Sequence, residues 1–168
     1  MDAIEALKTR RSVRAFTAVP VSRRIVEDIV DCGRLAPSAG NVQPIEFVVV
    51  ADHAVKGRIA GLTDHGEHLA DAPVCILVIA RSTKYYVEDG SAATENILVA
   101  ARAHGLGSCW IAGGKKPYAA AVCREVGAPE EFELVSVVAI GYSEESPWPP
   151  KRPLAEVLHW GRFGERPT

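Results

Sequence analysis

The chain has 168 residues and a mass of 18.0 kDa, within the roughly 100–200 residues of one folded domain. Its 48% hydrophobic and 24% charged residues, with a mean hydropathy of +0.05, exclude a disordered or fibrous chain. A net charge of −2 provides no basic excess, so neither nucleic acid nor a membrane surface is expected as a partner. The longest apolar run, Ala72 to Ala80, falls far short of the ~20 residues of a membrane helix. Met1 to Glu5 lack the basic-then-apolar order of a secretory signal. Cys32, Cys75, Cys109 and Cys123 form no C-x-x-C pair, so no metal site is expected, and a reduced, cytoplasmic protein is. Only 7% of residues are aromatic and 14 are glycine, which implies an aliphatic core and a tightly turned backbone.

In chain order, Asp2 with Glu5 three residues on predicts a capped first helix carrying Ile4 and Leu7. Pro20 and Ser22 open a second helix bearing Ile25, Val26, Ile29, Val30 and Leu35, which Pro37 stops. The loop Ser38-Ala39-Gly40-Asn41 leads to a β-branched strand over Phe47 to Ala51. A weakly periodic helix follows over Ala54 to Leu62, then a loop rich in histidine. Val74 to Ala80 is apolar on both faces and reads as a central strand. A buried helix is predicted over Ala92 to His104, with Ile97, Leu98, Ala100 and Ala101 inside and Gly105 and Gly107 ending it. Ser108 to Ile111 reads as a strand, Tyr118 to Val126 as a helix and Leu134 to Gly141 as a strand. Beyond Ser143 only Leu154 to Leu158 has packing potential, so residues 143–168 are expected to form an arm with its contacts on another subunit. No repeat or linker breaks residues 1–168, which read as one domain. The strands and helices do not alternate as βαβ units, so the fold class is α+β.

Three constellations carry chemistry. Arg10, Arg11, Ser12 and Arg14 crowd three guanidiniums and a hydroxyl into one turn, a set that binds phosphate by charge-assisted hydrogen bonds or serves as a solvated basic turn. Lys151 and Arg152 form a second basic pair, which reaches the same anion only if the tail folds back. Pro37, Ser38, Asn41, Gln43 and Pro44 make a rigid polar loop. Its amides supply both donors and acceptors to the edge of a flat heterocycle, although turn chemistry alone also accounts for it. Gly105 to Lys115 is neither a dinucleotide fingerprint, since Trp110 breaks the second interval, nor a phosphate loop, since Lys116 follows the lysine. It leaves a helix-to-strand turn and the small residues of Ile111-Ala112-Gly113-Gly114, where backbone approaches a ring closely.

Taken in order, R-x-S-x-R, A-P-S-A-x-N-x-Q-P and the Asp89-to-Trp110 stretch ending in G-L-G-S-C-W resemble the FMN-dependent nitroreductase family. So does the close, Ile140-Gly141-Tyr142 followed by Lys151-Arg152-Pro153-Leu154 and Val157-Leu158-His159. The resemblance implies a central, mostly antiparallel sheet flanked by helices. It also implies an interlocked homodimer with a swapped C-terminal arm and FMN in a cleft between the subunits. By the same resemblance Arg10, Arg11, Ser12 and Arg14 hold the FMN phosphate, completed by Lys151 and Arg152. Pro37, Ser38, Asn41 and Gln43 come from the partner subunit, and Ile111, Ala112, Gly113 and Gly114 pass along the ring. The implied reaction takes hydride from NAD(P)H to FMN and on to a nitro-aromatic, quinone or similar acceptor, ping-pong, with no catalytic side chain. Two other activities are kept: a dehydrogenase or dehalogenase of one metabolite, and a non-catalytic FMN-binding protein. Two features depart from the family pattern. Ile45 stands where many members carry an aromatic residue, and Lys115 and Lys116 stand where many short members carry acids, which favours an anionic partner such as NADPH.

Overall fold

The structure, a computed structural model, describes residues 1–166. It is built on four strands: β1 (Ile45–Val50), β2 (Val74–Arg81), β3 (Gly107–Ala112) and β4 (Phe132–Gly141). They form one antiparallel sheet in the order β1-β2-β4-β3, so the strand that is apolar on both faces, β2, lies inside it, as its composition requires. Among the described residues there are six helices: α1 (Ala3–Thr9), α2 (Arg23–Arg34), α3 (His53–Leu62), α4 (Tyr86–Ala103), α5 (Ala119–Glu125) and the short, exposed α6 (Leu154–Val157) in the tail. Helix, sheet and order together give the α+β class expected from the sequence. No described helix is long and apolar enough to cross a membrane.

Side-chain alternation along β2 divides the core in two. Cys75, Leu77 and Ile79 face one layer with Ile59 of α3, Val122 of α5 and Leu69, while Ile76 and Val78 face the other with Ile29 of α2 and Ile97 of α4. All of these side chains are buried. Caps start the helices where the sequence provides them. Asp2, Ser22 and Asp52 accept the N–H groups of Glu5, Ile25 and Val55, each a contribution of about 1 kcal/mol.

Several boundaries differ from the sequence reading. Helix α4 starts at Tyr86, not Ala92. It has no side-chain N-cap, and its second turn contains Gly90, a poor helix former. That glycine is there for contact: a Cβ would stand 2.6 Å from Val135 Cγ2, so only glycine lets α4 lie this close to β4. Strand β1 spans Ile45–Val50 where Phe47 to Ala51 was expected, and β4 begins two residues early. Gly107 belongs to β3, while Gly105, at φ +75°, ends α4 in the left-handed conformation. Ile4 and Leu7 of α1 are exposed, and so are Leu154 and Val157 of α6, so neither apolar face is covered within one chain.

Candidate functional site

The arginine turn lies alongside β3. Ser12 and Ser108 form a parallel bridge, with the Val13 N–H donating to the Ser108 carbonyl at 3.0 Å. Gly107 makes this approach possible, because a Cβ there would stand 2.9 Å from Val13 Cγ1. Buried Val13 thus anchors the turn while Ser12 and Arg14 remain exposed. The root of the tail fixes the other side. Thr17 N–H donates to the Tyr142 carbonyl, Ser143 Oγ donates to the Ala15 carbonyl, and Glu145 Oε2 accepts from the N–H groups of Arg14 and Ala15 at 2.8 and 3.0 Å.

Those two N–H groups hold the Glu145 carboxyl below its ordinary value of 4.5, with Arg14 adding to the effect. A carboxyl lowered by the folded state stabilises that state fully above pH 4.5 and loses its contribution as the pH falls through the folded value. The group is exposed, so the contribution is under about 1 kcal/mol. Glu145→Ala is therefore expected to lower the melting temperature slightly at pH 7, with the gap from wild type closing below pH 4.5. A gap of equal size at pH 7 and in acid would show that the carboxylate does not brace the turn.

Arg10 and Arg11 turn away from Arg14. They line a small cavity of about 140 Å³ with Arg102, Ser108, Ser143 and Trp148. Arg11 stacks on Trp148, its guanidinium carbon 3.8 Å from the ring centroid. Arg10 pairs with Glu95 at 3.2 Å, but out of line for a hydrogen bond, so the buried Nε–H groups of both Arg10 and Arg11 have no acceptor among the described residues.

A second cavity, of about 290 Å³, brings Arg14 together with Trp110, Ile111 and Ala112 of β3. Lys116, Tyr118, Cys109, His65 and His68 complete its lining. Gly113 follows β3, and a Cβ there would stand 2.4 Å from Leu134, so the small residue is required by packing. Gly114 donates its N–H to the Val135 carbonyl together with Gly113, bending the chain out of the sheet. Lys116 pairs with Asp64 at 3.1 Å. Tyr118 donates to the Ala112 carbonyl and fixes the cavity rim. Cys109 is buried, and burial pushes its thiol up, so it is not a poised nucleophile.

The polar loop lies elsewhere. Pro37, Ser38 and Gln43 line a third cavity between α2 and β1. Ser38 Oγ accepts the Gln43 N–H at 2.9 Å, and Asp89 of α4 accepts the Ala39 N–H at 2.9 Å. Asn41 and Gln43 are exposed, and with Lys115 they are the non-glycine residues at positive φ, +55°, +51° and +63°. Each such conformation costs about 1–2 kcal/mol, and strain of this kind gathers at functional sites. Lys151 and Arg152 are exposed in the tail, with Arg152 paired to Glu156 at 3.4 Å, so one chain does not bring them to the arginine turn.

Sequence reasoning noticed the histidine-rich loop but gave it no role, because nothing local reveals that a short 3-10 turn at Glu67–Leu69 carries His68 to Arg14. Glu145 falls in the expected arm, and its partners are N–H groups far away in the chain, which no local pattern can show. Asn96 donates to the Cys32 carbonyl at 2.9 Å and ties α4 to α2.

A profile of the nitroreductase family matches residues 7–66 and 63–142. The chain is 37% identical over 151 residues to a provisionally named NADH dehydrogenase/NAD(P)H nitroreductase of Archaeoglobus fulgidus, covering 86% of this chain and 87% of that one. Its fold is similar to that of a Bacteroides thetaiotaomicron protein with the same provisional name, at a TM-score of 0.91 and 29% identity, covering 96% and 98% of the two chains. It is also similar to an FMN-dependent nitroreductase of Clostridium difficile, at a TM-score of 0.89 and 28% identity, covering 95% and 99%. By a profile match over most of its length and by its identity to a relative of similar length, this chain belongs to the nitroreductase family.

Proposed function

We propose that the chain is an NAD(P)H-dependent FMN oxidoreductase that acts as a homodimer, with each flavin site built from both subunits. One observation carries the reading: Arg14 and the end of β3 share a cavity, while the polar loop faces another side of the same chain. A second copy supplies the loop. The residues suit FMN. Three guanidiniums and Ser12 belong to one anchored turn, a charge that suits a phosphomonoester of about −2, and Arg14 among them forms no ion pair in the described residues. Exposed Ala112 and half-buried Gly114 leave room for a ring, and the exposed amides of Asn41 and Gln43 are available to its polar edge.

In this reading Arg10, Arg11, Ser12 and Arg14 hold the phosphate, and Lys151 and Arg152 join them from an arm over residues 143–168 that crosses to the partner. Ile111, Ala112, Gly113 and Gly114 pass along the ring, while the partner's loop closes the cleft. Bound FMN supplies the hydride chemistry, and the protein supplies binding, orientation and charge. The acceptor is a nitro-aromatic, a quinone or a similar small molecule, reduced in a second half-reaction at the same open face. Residues 1–168 act as a single domain, and the four free thiols suit a cytoplasmic protein. Lys115 and Lys116 favour an anionic donor such as NADPH, although Asp64 already offsets part of the Lys116 charge.

The experiment is anaerobic. FMN-loaded protein is expected to lose its visible absorption on addition of NAD(P)H and to regain it on addition of a nitro-aromatic or quinone. A loaded protein that neither nucleotide bleaches would be a flavin-binding protein without this activity.

A further inference from the structure

We infer that His68 is the proton-binding group of the flavin site, neutral beside the oxidised ring and taking up a proton when the ring gains charge on reduction. The inference rests on the FMN reading above and adds to it a residue that neither the arginine turn nor the polar loop contains.

The imidazole lines the Arg14 cavity while only 8% exposed, and its Nε2 is shut off from solvent with no hydrogen-bond partner among the described residues. A buried polar atom left unpaired is costly, and native proteins rarely keep one without use. The ring stacks on Phe16 at a centroid distance of 6.5 Å, which fixes its plane without fixing its protonation. Charge around it therefore decides. Arg14 faces it from the arginine turn and opposes a proton, whereas Glu145 from the tail root and Glu67 from its own turn favour one. Across the cavity stand His65, Cys109, Lys116 and Tyr118. Burial, the larger influence, and Arg14 hold the imidazole below its ordinary value, hence neutral at pH 7.

An anion bound at Arg14 weakens that opposition. Hydride from NAD(P)H brings two electrons and one proton to the ring and leaves NAD(P)+, so the reduced ring bears one more negative charge. His68 then takes a proton from solvent and the imidazolium offsets the new charge. The balance is one hydride and one proton gained for each two-electron reduction, with the second proton on the protein.

The test is the midpoint potential of bound FMN as a function of pH in the wild type, His68→Gln and His68→Lys. The wild type is expected to take up one more proton per two electrons than His68→Gln, steepening its potential by about 30 mV per pH unit. His68→Lys, a fixed cation, is expected to keep a high potential with the shallower slope. Absorbance reports loading and circular dichroism reports folding, so whichever variant loads provides the comparison. A loaded variant with the wild-type slope would overturn the role of His68 and leave the flavin reading standing. A folded wild-type protein that takes up no FMN would overturn both.

Discussion

Replacing Arg14 with glutamate is expected to strip FMN from the protein while leaving its fold intact. Arg14 is exposed and forms no ion pair among the described residues, so its loss costs the folded chain little, within about 0.5 kcal/mol. Its neighbour Val13, which is buried against β3, carries the structural load of the turn. For the ligand the loss is large. A hydrogen bond to a charged group contributes about 1.5–3 kcal/mol, so removing it alone weakens binding by about tenfold to a hundredfold. Glutamate adds repulsion of the phosphate, and the combined effect is expected to exceed about a hundredfold. Titration of FMN by fluorescence, with thermal unfolding as the control on folding, reads both quantities. Unchanged FMN affinity would remove Arg14 from the site.

Truncation after Ser146 is expected to leave monomers or aggregates in place of the proposed dimer and to abolish FMN binding. The arm leaves its apolar side chains uncovered in one chain: Trp148 is 67% exposed, Leu154 70%, Trp160 64% and Phe163 93%. Full burial of such a side chain contributes about 1.5–3 kcal/mol. Even a fraction of the sum over the arm is enough for a change in dimer affinity on the order of a hundredfold or more. The rest of the chain should stay folded, because both layers of the core lie before residue 141. Lys151 and Arg152, which the proposed reading brings to the anion site, are lost with the arm. Light scattering on the truncated protein decides the matter, and a retained dimer would show that the arm does not hold the subunits together.

The fold was legible where the pattern was local. The doubly apolar run at Val74 made β2 an interior strand, and the cap residues Asp2 and Ser22 located the starts of α1 and α2. The start of α4 was hidden because Gly90 reads as a helix breaker until Val135 is seen against it. The candidate site was legible as three separate motifs, since arginine spacing and loop amides are properties of short segments. Their grouping was not. That Arg14 shares a cavity with Ala112 but not with Arg10 follows from how the turn crosses β3, and that Glu145 and His68 flank it follows from contacts across the whole chain. Ile4 and Leu7 read as an apolar helix face, and within their own chain both stay exposed.

A mixed dimer tests the shared site most directly. One chain carries Arg14→Glu and the other carries Asn41→Gly with Gln43→Gly, which removes both amides while relieving the positive φ at each position. At an FMN concentration that loads neither parent dimer, a dimer of one chain of each kind contains one fully wild-type site and one doubly damaged site. It is expected to bind one FMN per dimer. A mixed dimer that binds none would contradict a flavin site assembled from two copies of this chain.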